Sequence, residues 1–140
     1  MRVGLVGCVK TKASMPRPAE DLYVSPLFQL RRRYVERSCE RWYILSALHG
    51  LVDRTTVLEP YDKTLTTASR GERREWSRLV LRQLTDRLMK LEGHVFEVHA
   101  GAAYYEFGLR EGLQSAGAVV EIPTQGRSLG RTLAFYSSSF

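Results

Sequence analysis

The chain has 140 residues, of which 44% are hydrophobic, and this is the size and composition of one globular domain with one core. Its 21 lysines and arginines exceed its 15 aspartates and glutamates, so the formal net charge is +6. A basic surplus favours an anionic partner, nucleic acid before a membrane. The alternative is that the charge serves solubility alone.

No stretch approaches the roughly twenty apolar residues of a membrane helix, and the first apolar run is too short for a secretory signal. We therefore expect a cytoplasmic protein without membrane contact. The two cysteines, Cys8 and Cys39, are too few for a disulfide framework, and we interpret both as core thiols.

Metal and cofactor motifs are missing from the sequence. The three histidines have no close spacing to one another or to cysteine, and any magnesium would depend on Asp21, Glu59 or Asp62. The segment Gly4–Gly7 lacks the Gly-Lys-Ser/Thr ending of a nucleoside-triphosphate loop. The sequence therefore predicts no metal site and no cofactor.

Apolar runs predict buried strands, and amphipathic helical patterns alternate with them. The predicted strands are Arg2–Gly7, Trp42–Ala47, His94–His99 and Val119–Ile122. The helical patterns begin at Pro26, Ser69, Ala102 and Arg131. This alternation predicts a single α/β domain over 1–140, a three-layer sandwich with a mainly parallel four-stranded central sheet.

The first helix has a clear start, because Ser25 suits the N-cap and Pro26 the first helical position. One face is predicted to be buried: Leu27, Leu30 and Tyr34, with Val35 beside them. Arginines occupy the remainder. We expect Arg31 or Arg32 either to reach a phosphate or to pair with Asp21, and a solvated basic face is the alternative.

The second helix begins with a capping box, Ser69 with Glu72, and is predicted to run to about Leu91. The residues predicted to be buried are Trp76, Val80, Leu84, Leu88 and Leu91. The opposite face carries the most arginines in the chain. It suits either a phosphate track or a solvated surface. The third helical pattern covers Ala102–Ser115 and the last covers Arg131–Tyr136.

The segment Trp42–Leu65 holds the densest group of candidate residues. Its strand breaks at His49 and Gly50, and about fifteen residues without a regular period follow. Loops of that length in a compact domain are usually functional or disordered, and the aromatic and apolar content here favours an ordered one. The carboxyl ends of parallel strands share one edge, where ligands bind in open α/β sheets. We expect that edge to gather Cys8–Lys12, Ser46–Leu51, His99–Tyr104 and Thr124–Ser128.

Several motifs together resemble a known family. They are GCVKTK, DLYVSPLF, WYILSALHGLV with PYDKTL, HAGAAYY, and QGRSLGRTLAFY. Over nearly the whole chain they are similar to an uncharacterised bacterial domain family related to the peroxide stress protein YaaA. The resemblance implies a uracil-DNA glycosylase-like fold and involvement with nucleic acid or modified bases, but no catalytic residues. The glycosylase motif with proline and tyrosine after the first strand is absent, which argues against uracil excision by the familiar route.

Cleavage of an N-glycosidic bond builds positive charge on the sugar, so it needs a carboxylate and a donor to the departing base. The candidate carboxylates are Asp21 and Asp62, and His49 is the candidate donor, with His99 as second choice. Each has a structural alternative. Asp62 would cap a turn or pair with Lys63, and His49 would bind loop carbonyls.

Candidate substrate-binding residues surround these groups. Lys10 and Lys12 would hold a phosphate, while Tyr23 or Tyr61 would stack a base. Further candidates are Ser25, Arg32, Thr64 and Tyr104. The alternative for Tyr61 is that it packs beneath the loop.

These residues favour a nucleobase-handling enzyme, an N-glycosylase that acts on a modified base in DNA or on a nucleoside. One alternative is a non-catalytic nucleic-acid-binding module in stress or DNA protection. Another is a phosphate-recognising subunit with a separate catalytic partner. The expected partner is DNA, a nucleoside or a nucleotide, and the sequence predicts no particular oligomeric state.

Overall fold

The computed structural model describes residues 1–7 and 12–139. The strands of the described residues are β1 (Arg2–Gly7), β2 (Arg17–Pro18), β3 (Arg41–Ser46), β4 (Gly50–Val52), β5 (Val57–Leu58), β6 (Val95–His99) and β7 (Val119–Glu121). The helices are α1 (Ala19–Leu22), α2 (Pro26–Ser38), α3 (Arg70–Leu88), α4 (Ala102–Tyr105), α5 (Leu109–Ser115) and α6 (Leu129–Ser137). A 3₁₀ turn covers Leu65–Thr67.

The central sheet has five strands in the order β4-β3-β1-β6-β7. All pairs are parallel except β3 with β4 at one edge. The mainly parallel α/β prediction is confirmed, but the predicted count of four strands is wrong. The extra strand is β4, which lies in the segment predicted to be loop. Three residues are too few to show a period of two in the sequence.

The helices pack on the sheet in two groups. Helix α2 contacts β1 and α6, whereas α3 contacts β4, α4 and α5. Successive crossovers run in opposite directions from β1, because β1 leads to β3 on one side and β3 leads to β6 on the other. Right-handed crossovers then put their helices on opposite faces. The two separate groups of helix contacts are those expected of a three-layer sandwich.

One face of the sheet lies against α2, and we call it the α2 face. A Cβ added at Gly4 would lie 2.8 Å from Cγ1 of Val35, so glycine lets α2 approach β1 closely. Gly4 pairs in register with Glu97, and residues two apart on a strand share a face. Glu97 and His99 of β6 therefore belong to the α2 face. Ser46 does too, because it lies four residues beyond Trp42, which also pairs with Gly4.

Helix α2 begins as predicted, with Ser25 Oγ accepting from the Phe28 amide at 3.2 Å. Its predicted buried face is wrong. The buried residues are Phe28, Arg31 and Val35, whereas Leu27, Leu30 and Tyr34 are half-buried. The helix is rotated because an arginine is buried among polar groups, which a hydrophobic pattern does not predict.

Helix α3 begins at the predicted capping box, where Ser69 Oγ accepts from the Glu72 amide at 3.1 Å. It ends at Leu88, three residues before the predicted end, because Met89 takes a left-handed conformation with φ of 68°. The predicted burial of Trp76, Val80 and Leu84 is confirmed.

The third predicted helix is two helices, α4 and α5. They are separated at Gly108, whose φ of +133° does not fit an α-helix. The last helix begins two residues before the predicted Arg131, with Ser128 as its N-cap.

Cys39 is half-buried, and burial raises the pKa of its thiol to about 11. The thiol is therefore protonated near neutral pH, which fits the interpretation as an unreactive side chain. Cys8 lies outside the described residues.

The turn between β3 and β4 depends on Gly50, whose φ is +74°. A Cβ there would lie 3.0 Å from Cδ2 of Leu79 and closer still to the Gln83 side chain. We expect Gly50→Ala to reduce the free energy of unfolding by about 2 kcal/mol, measured by urea denaturation. Gly71→Ala is the control, since the exposed first turn of α3 gains helix propensity. Equal stability of the two variants would contradict this assignment.

Within the described residues, none of the helices has both the length and the apolar character required to cross a lipid bilayer.

Candidate functional site

The carboxyl edge of the sheet is where the chain reverses its winding direction. The connection after β1 leads to β3, whereas the connection after β6 leads to β7 on the other side. The crevice between such divergent connections is the usual ligand site of open α/β sheets. The predicted candidate Lys10 belongs to residues 8–11, which lie outside the described residues.

A phenol hydroxyl lies at the end of β3 on the α2 face. Tyr61 Oη lies 2.7 Å from Ser46 Oγ and 2.5 Å from Tyr23 Oη. Ser46 ends β3 and Tyr23 directly follows α1. Two buried polar groups from separate segments therefore fix the position of the half-buried Tyr61 ring.

A cation and a histidine contact the same ring. Lys12 Nζ lies 4.4 Å from the centroid of the Tyr61 ring and 5.8 Å from that of Tyr23. The exposed His49 ring meets Tyr61 edge-on, with centroids 5.5 Å apart. We call Lys12, Tyr23, Ser46, His49 and Tyr61 the Tyr61 cluster. An ammonium over aromatic faces next to an imidazole suits an anionic, aromatic ligand.

Backbone contacts between distant segments support the cluster. Strands β2 and β5 form a short antiparallel ladder, and the Ala19 amide donates to the Thr56 carbonyl at 2.7 Å. Lys12 and Tyr23 form an isolated antiparallel bridge. The long segment after β4 is thus attached to the segment before α2.

Side chains of α3 and α4, the helices that pack apart from α2, also reach the end of β3. Trp76 Nε1 donates to the Ser46 carbonyl at 2.8 Å, and its ring meets Tyr104 edge-on at 5.3 Å. Tyr104 is 6% exposed, so this predicted substrate-binding residue belongs to the packing under Trp76.

The structure brings together several residues predicted from the sequence: Lys12, Tyr23, His49 and Tyr61. The Tyr23 side chain is fully buried, so it supports Tyr61 and leaves no face open for stacking a base. Asp62 directly follows Tyr61 and is exposed. Its carboxylate makes no hydrogen bond or ion pair with any residue that the structure describes.

Other predicted residues have structural partners. Asp21 Oδ1 accepts from Arg32 Nη1 at 3.2 Å, which confirms the expected pairing. Arg32 also pairs with Glu20 and Glu36. Ser25 caps α2. Thr64 Oγ1 accepts from the Thr66 amide at 3.2 Å and caps the 3₁₀ turn.

Ser46 was predicted to lie at this edge, within Ser46–Leu51, but it was not singled out as a site residue. It is fully buried, and its Oγ accepts from the His49 amide at 3.1 Å in addition to its bond with Tyr61. The sequence signal was a hydroxyl at the end of an apolar strand, directly before the His49 break. Such a side chain must find a partner when it is buried.

An open cleft of about 760 Å³ adjoins the end of β3. We call it the basic cleft. Among its lining residues are Ala47, Leu48, Lys63, Arg74, Arg78 and Arg82. Glu72 and Glu75 also line it, and Glu75 pairs with Arg78. Positive charge remains in excess, so the cleft suits a negatively charged chain.

Residues 1–7 and 12–139 contain no group of three His, Cys, Asp or Glu side chains close enough to hold a metal ion.

The described residues form an α/β domain whose mainly parallel sheet reverses its winding at the carboxyl edge, which places it in the class of open α/β sheet folds. The family model described as "Family of unknown function (DUF6884)" matches residues 3–138, and the chain belongs to this family. No curated protein and no solved structure matches this chain.

Proposed function

We propose that this protein is a nucleobase-handling enzyme, an N-glycosylase that acts on a modified base in DNA or on a nucleoside. The supporting observation is the Tyr61 cluster, in which Lys12 Nζ lies 4.4 Å from the Tyr61 ring centroid beside the exposed His49. The proposal includes kinship of the family with the peroxide stress protein YaaA and a uracil-DNA glycosylase-like fold.

The proposed reaction gives each exposed group a task. The Asp62 carboxylate stabilises positive charge on the sugar or activates water, because it is exposed and has no ion-pair partner among the described residues. His49 donates a proton to the departing base. Lys12 attracts the negative charge of a phosphate toward the Tyr61 ring. Asp21 is the weaker catalytic candidate, since its carboxylate is bound by Arg32.

The basic cleft supports DNA over a free nucleoside as the substrate. Lys63 follows Asp62 in the chain and lines the cleft together with Arg74, Arg78 and Arg82 of α3. Arginines four residues apart on a helix form a continuous stripe. Such a stripe suits successive phosphates of a nucleic-acid backbone.

The same cleft favours a second candidate function, a non-catalytic nucleic-acid-binding module. Phosphate contacts supply affinity without sequence information, and they need no reaction at the Tyr61 cluster. The two functions differ in whether free base is released.

Incubation with single-stranded oligonucleotides that carry modified bases tests the proposal. We expect free base in the supernatant by liquid chromatography, together with binding that weakens steeply as salt is raised. The variant Arg82→Gln is expected to weaken binding while leaving the turnover of bound substrate intact. Salt-dependent binding without any base release across the substrate panel would establish the second candidate instead.

A further inference from the structure

A chain of buried polar side chains extends along β6 on the α2 face. His99 Nε2 lies 2.6 Å from Glu97 Oε1, and His99 Nδ1 lies 2.6 Å from Tyr136 Oη of α6. Glu97 is 3% exposed, and the other two residues are fully buried. The proposed function does not use these groups.

The direction of these hydrogen bonds follows from their chemistry. An ionised carboxylate only accepts, so His99 Nε2 donates to Glu97. Burial lowers the pKa of His99, which keeps the ring neutral near pH 7. Its Nδ1 therefore accepts from the Tyr136 hydroxyl. The Tyr136 oxygen retains lone pairs that face further donors.

Arg31 of α2 lies beside this chain of residues. It is 7% exposed, and its positive charge lies close enough to act on both His99 and Tyr136. Its Nε has no hydrogen-bond partner within the part of the chain that the structure describes. A buried donor that is left unpaired costs about 1–3 kcal/mol, so it points to a missing acceptor.

The charge of Arg31 is also unmatched by any carboxylate of the described residues. Glu97 is already paired with Arg2, whose Nη1 lies 3.1 Å from Glu97 Oε2 and which also pairs with Glu121. No described carboxylate forms an ion pair with Arg31. A guanidinium keeps its charge when buried, so a counter-anion from outside the chain would stabilise it.

The location of Arg31 suits a ligand site. His99 is the last residue of β6, and Thr124, which is close to the Tyr136 hydroxyl, lies just beyond β7. Both positions are at the carboxyl edge, next to the point where the winding reverses. Arg31 is 7% exposed, so only a small anion or a terminal anionic group can reach it.

We infer that Arg31 binds a phosphate group at the carboxyl end of β6. The Glu97–His99 pair fixes the Tyr136 hydroxyl, whose oxygen lies close to the Arg31 guanidinium and helps to hold it in place. The inference deepens the proposed function, on which it rests for the remainder of the ligand. The ends of β3 and β6 are two strand spacings apart, about 10 Å, on the same face of the sheet. Arg31 and the Tyr61 cluster can therefore contact one nucleotide.

The test is the shift in melting temperature on adding inorganic phosphate, against sodium chloride of equal ionic strength. The wild type is expected to melt at a higher temperature in phosphate, because a ligand that binds only the folded state stabilises it. Arg31→Gln is expected to lose the shift. Arg33→Gln, an exposed arginine of the same helix, is expected to keep it.

Calorimetric titration covers the case in which Arg31→Gln fails to fold. Arg31→Lys keeps the charge but loses the planar donor pair, so its phosphate affinity is expected to fall about tenfold. No phosphate shift in the wild type, or equal affinity in Arg31→Lys, would overturn the inference.

Comparison of a nucleoside 5′-monophosphate with inorganic phosphate identifies the source of the phosphate group. Tighter binding of a nucleoside 5′-monophosphate than of inorganic phosphate indicates a nucleotide, whereas equal binding indicates free phosphate; both require the Arg31 site. Base release without a phosphate response would overturn this inference and leave the proposed function standing. A phosphate response without base release would do the reverse.

Discussion

Asp62→Asn is expected to lower the rate of base release by about 10²- to 10⁴-fold, the usual contribution of a positioned acid or base. Asparagine keeps the size of the side chain and its hydrogen-bonding capacity, but it removes the negative charge that the sugar needs as the bond breaks. Asp62 is exposed beside Tyr61, so the substitution leaves the core untouched. Initial rates with saturating substrate, measured by liquid chromatography, give the effect.

Asp21→Asn is the matched control for that prediction. Asp21 is bound to Arg32, which has Glu20 and Glu36 as additional partners, so its loss changes little in that network. We expect base release near the wild-type rate. Full activity in both variants would show that neither carboxylate is catalytic, and loss in Asp21→Asn alone would reverse their assigned roles.

The second large effect concerns stability, where Glu97→Leu is expected to cost about 3–5 kcal/mol in the free energy of unfolding. The carboxylate accepts from His99, Ser38 and Arg2, at 2.6, 2.9 and 3.1 Å. Leucine would leave the His99 donor buried without an acceptor. Urea denaturation measures the change.

Two milder variants separate charge from hydrogen bonding at this position. Glu97→Gln retains an oxygen acceptor for His99, so we expect a smaller loss than with leucine. Glu121→Gln removes the exposed second partner of Arg2, where an ion pair contributes at most about 1 kcal/mol. Equal losses in all three variants would contradict the buried network.

The pH dependence of stability provides another measure of the same network. Burial lowers the pKa of His99 from its ordinary 6.5, so its contribution is complete above that pH and is lost as the pH falls. The hydrogen bond from His99 lowers the pKa of Glu97 despite burial, so the contribution of Glu97 is lost below its ordinary 4.5. The contributions of His99 and Glu97 to stability are therefore both lost as the pH falls. Wild-type stability should therefore fall between pH 7 and pH 4. Glu97→Leu should extend the part of the loss due to His99 to lower pH, because Glu97 raises the pKa of His99 and its removal lowers that pKa further.

The sequence predicts β1 and β3 well because they are buried on both faces and appear as continuous apolar runs. It fails at β4, whose three residues are too short to show a period. It also fails at the buried face of α2. Arg31 is buried because Tyr136, more than a hundred residues away, lies against it, and no local pattern reports that contact.

The candidate site was likewise predicted only in part. Topology alone predicts that Lys12, His49 and the end of β3 share an edge. The Tyr61–Ser46 and Tyr61–Tyr23 hydrogen bonds depend on how the long segment folds back through β5. Glu97 and His99 lie two residues apart on β6 and share a face, but their partner Tyr136 lies on α6, which no strand pattern reports.

The two rims of the sheet differ in their capacity to recruit an additional strand from another chain. Along β4, the Leu51 amide is occupied by Gln83 Oε1 at 2.7 Å, and Gln83 Nε2 donates to the His49 carbonyl at 3.1 Å, so one glutamine side chain blocks that rim. The opposite rim, β7, carries the exposed Val119. Self-association by strand addition would therefore occur through β7.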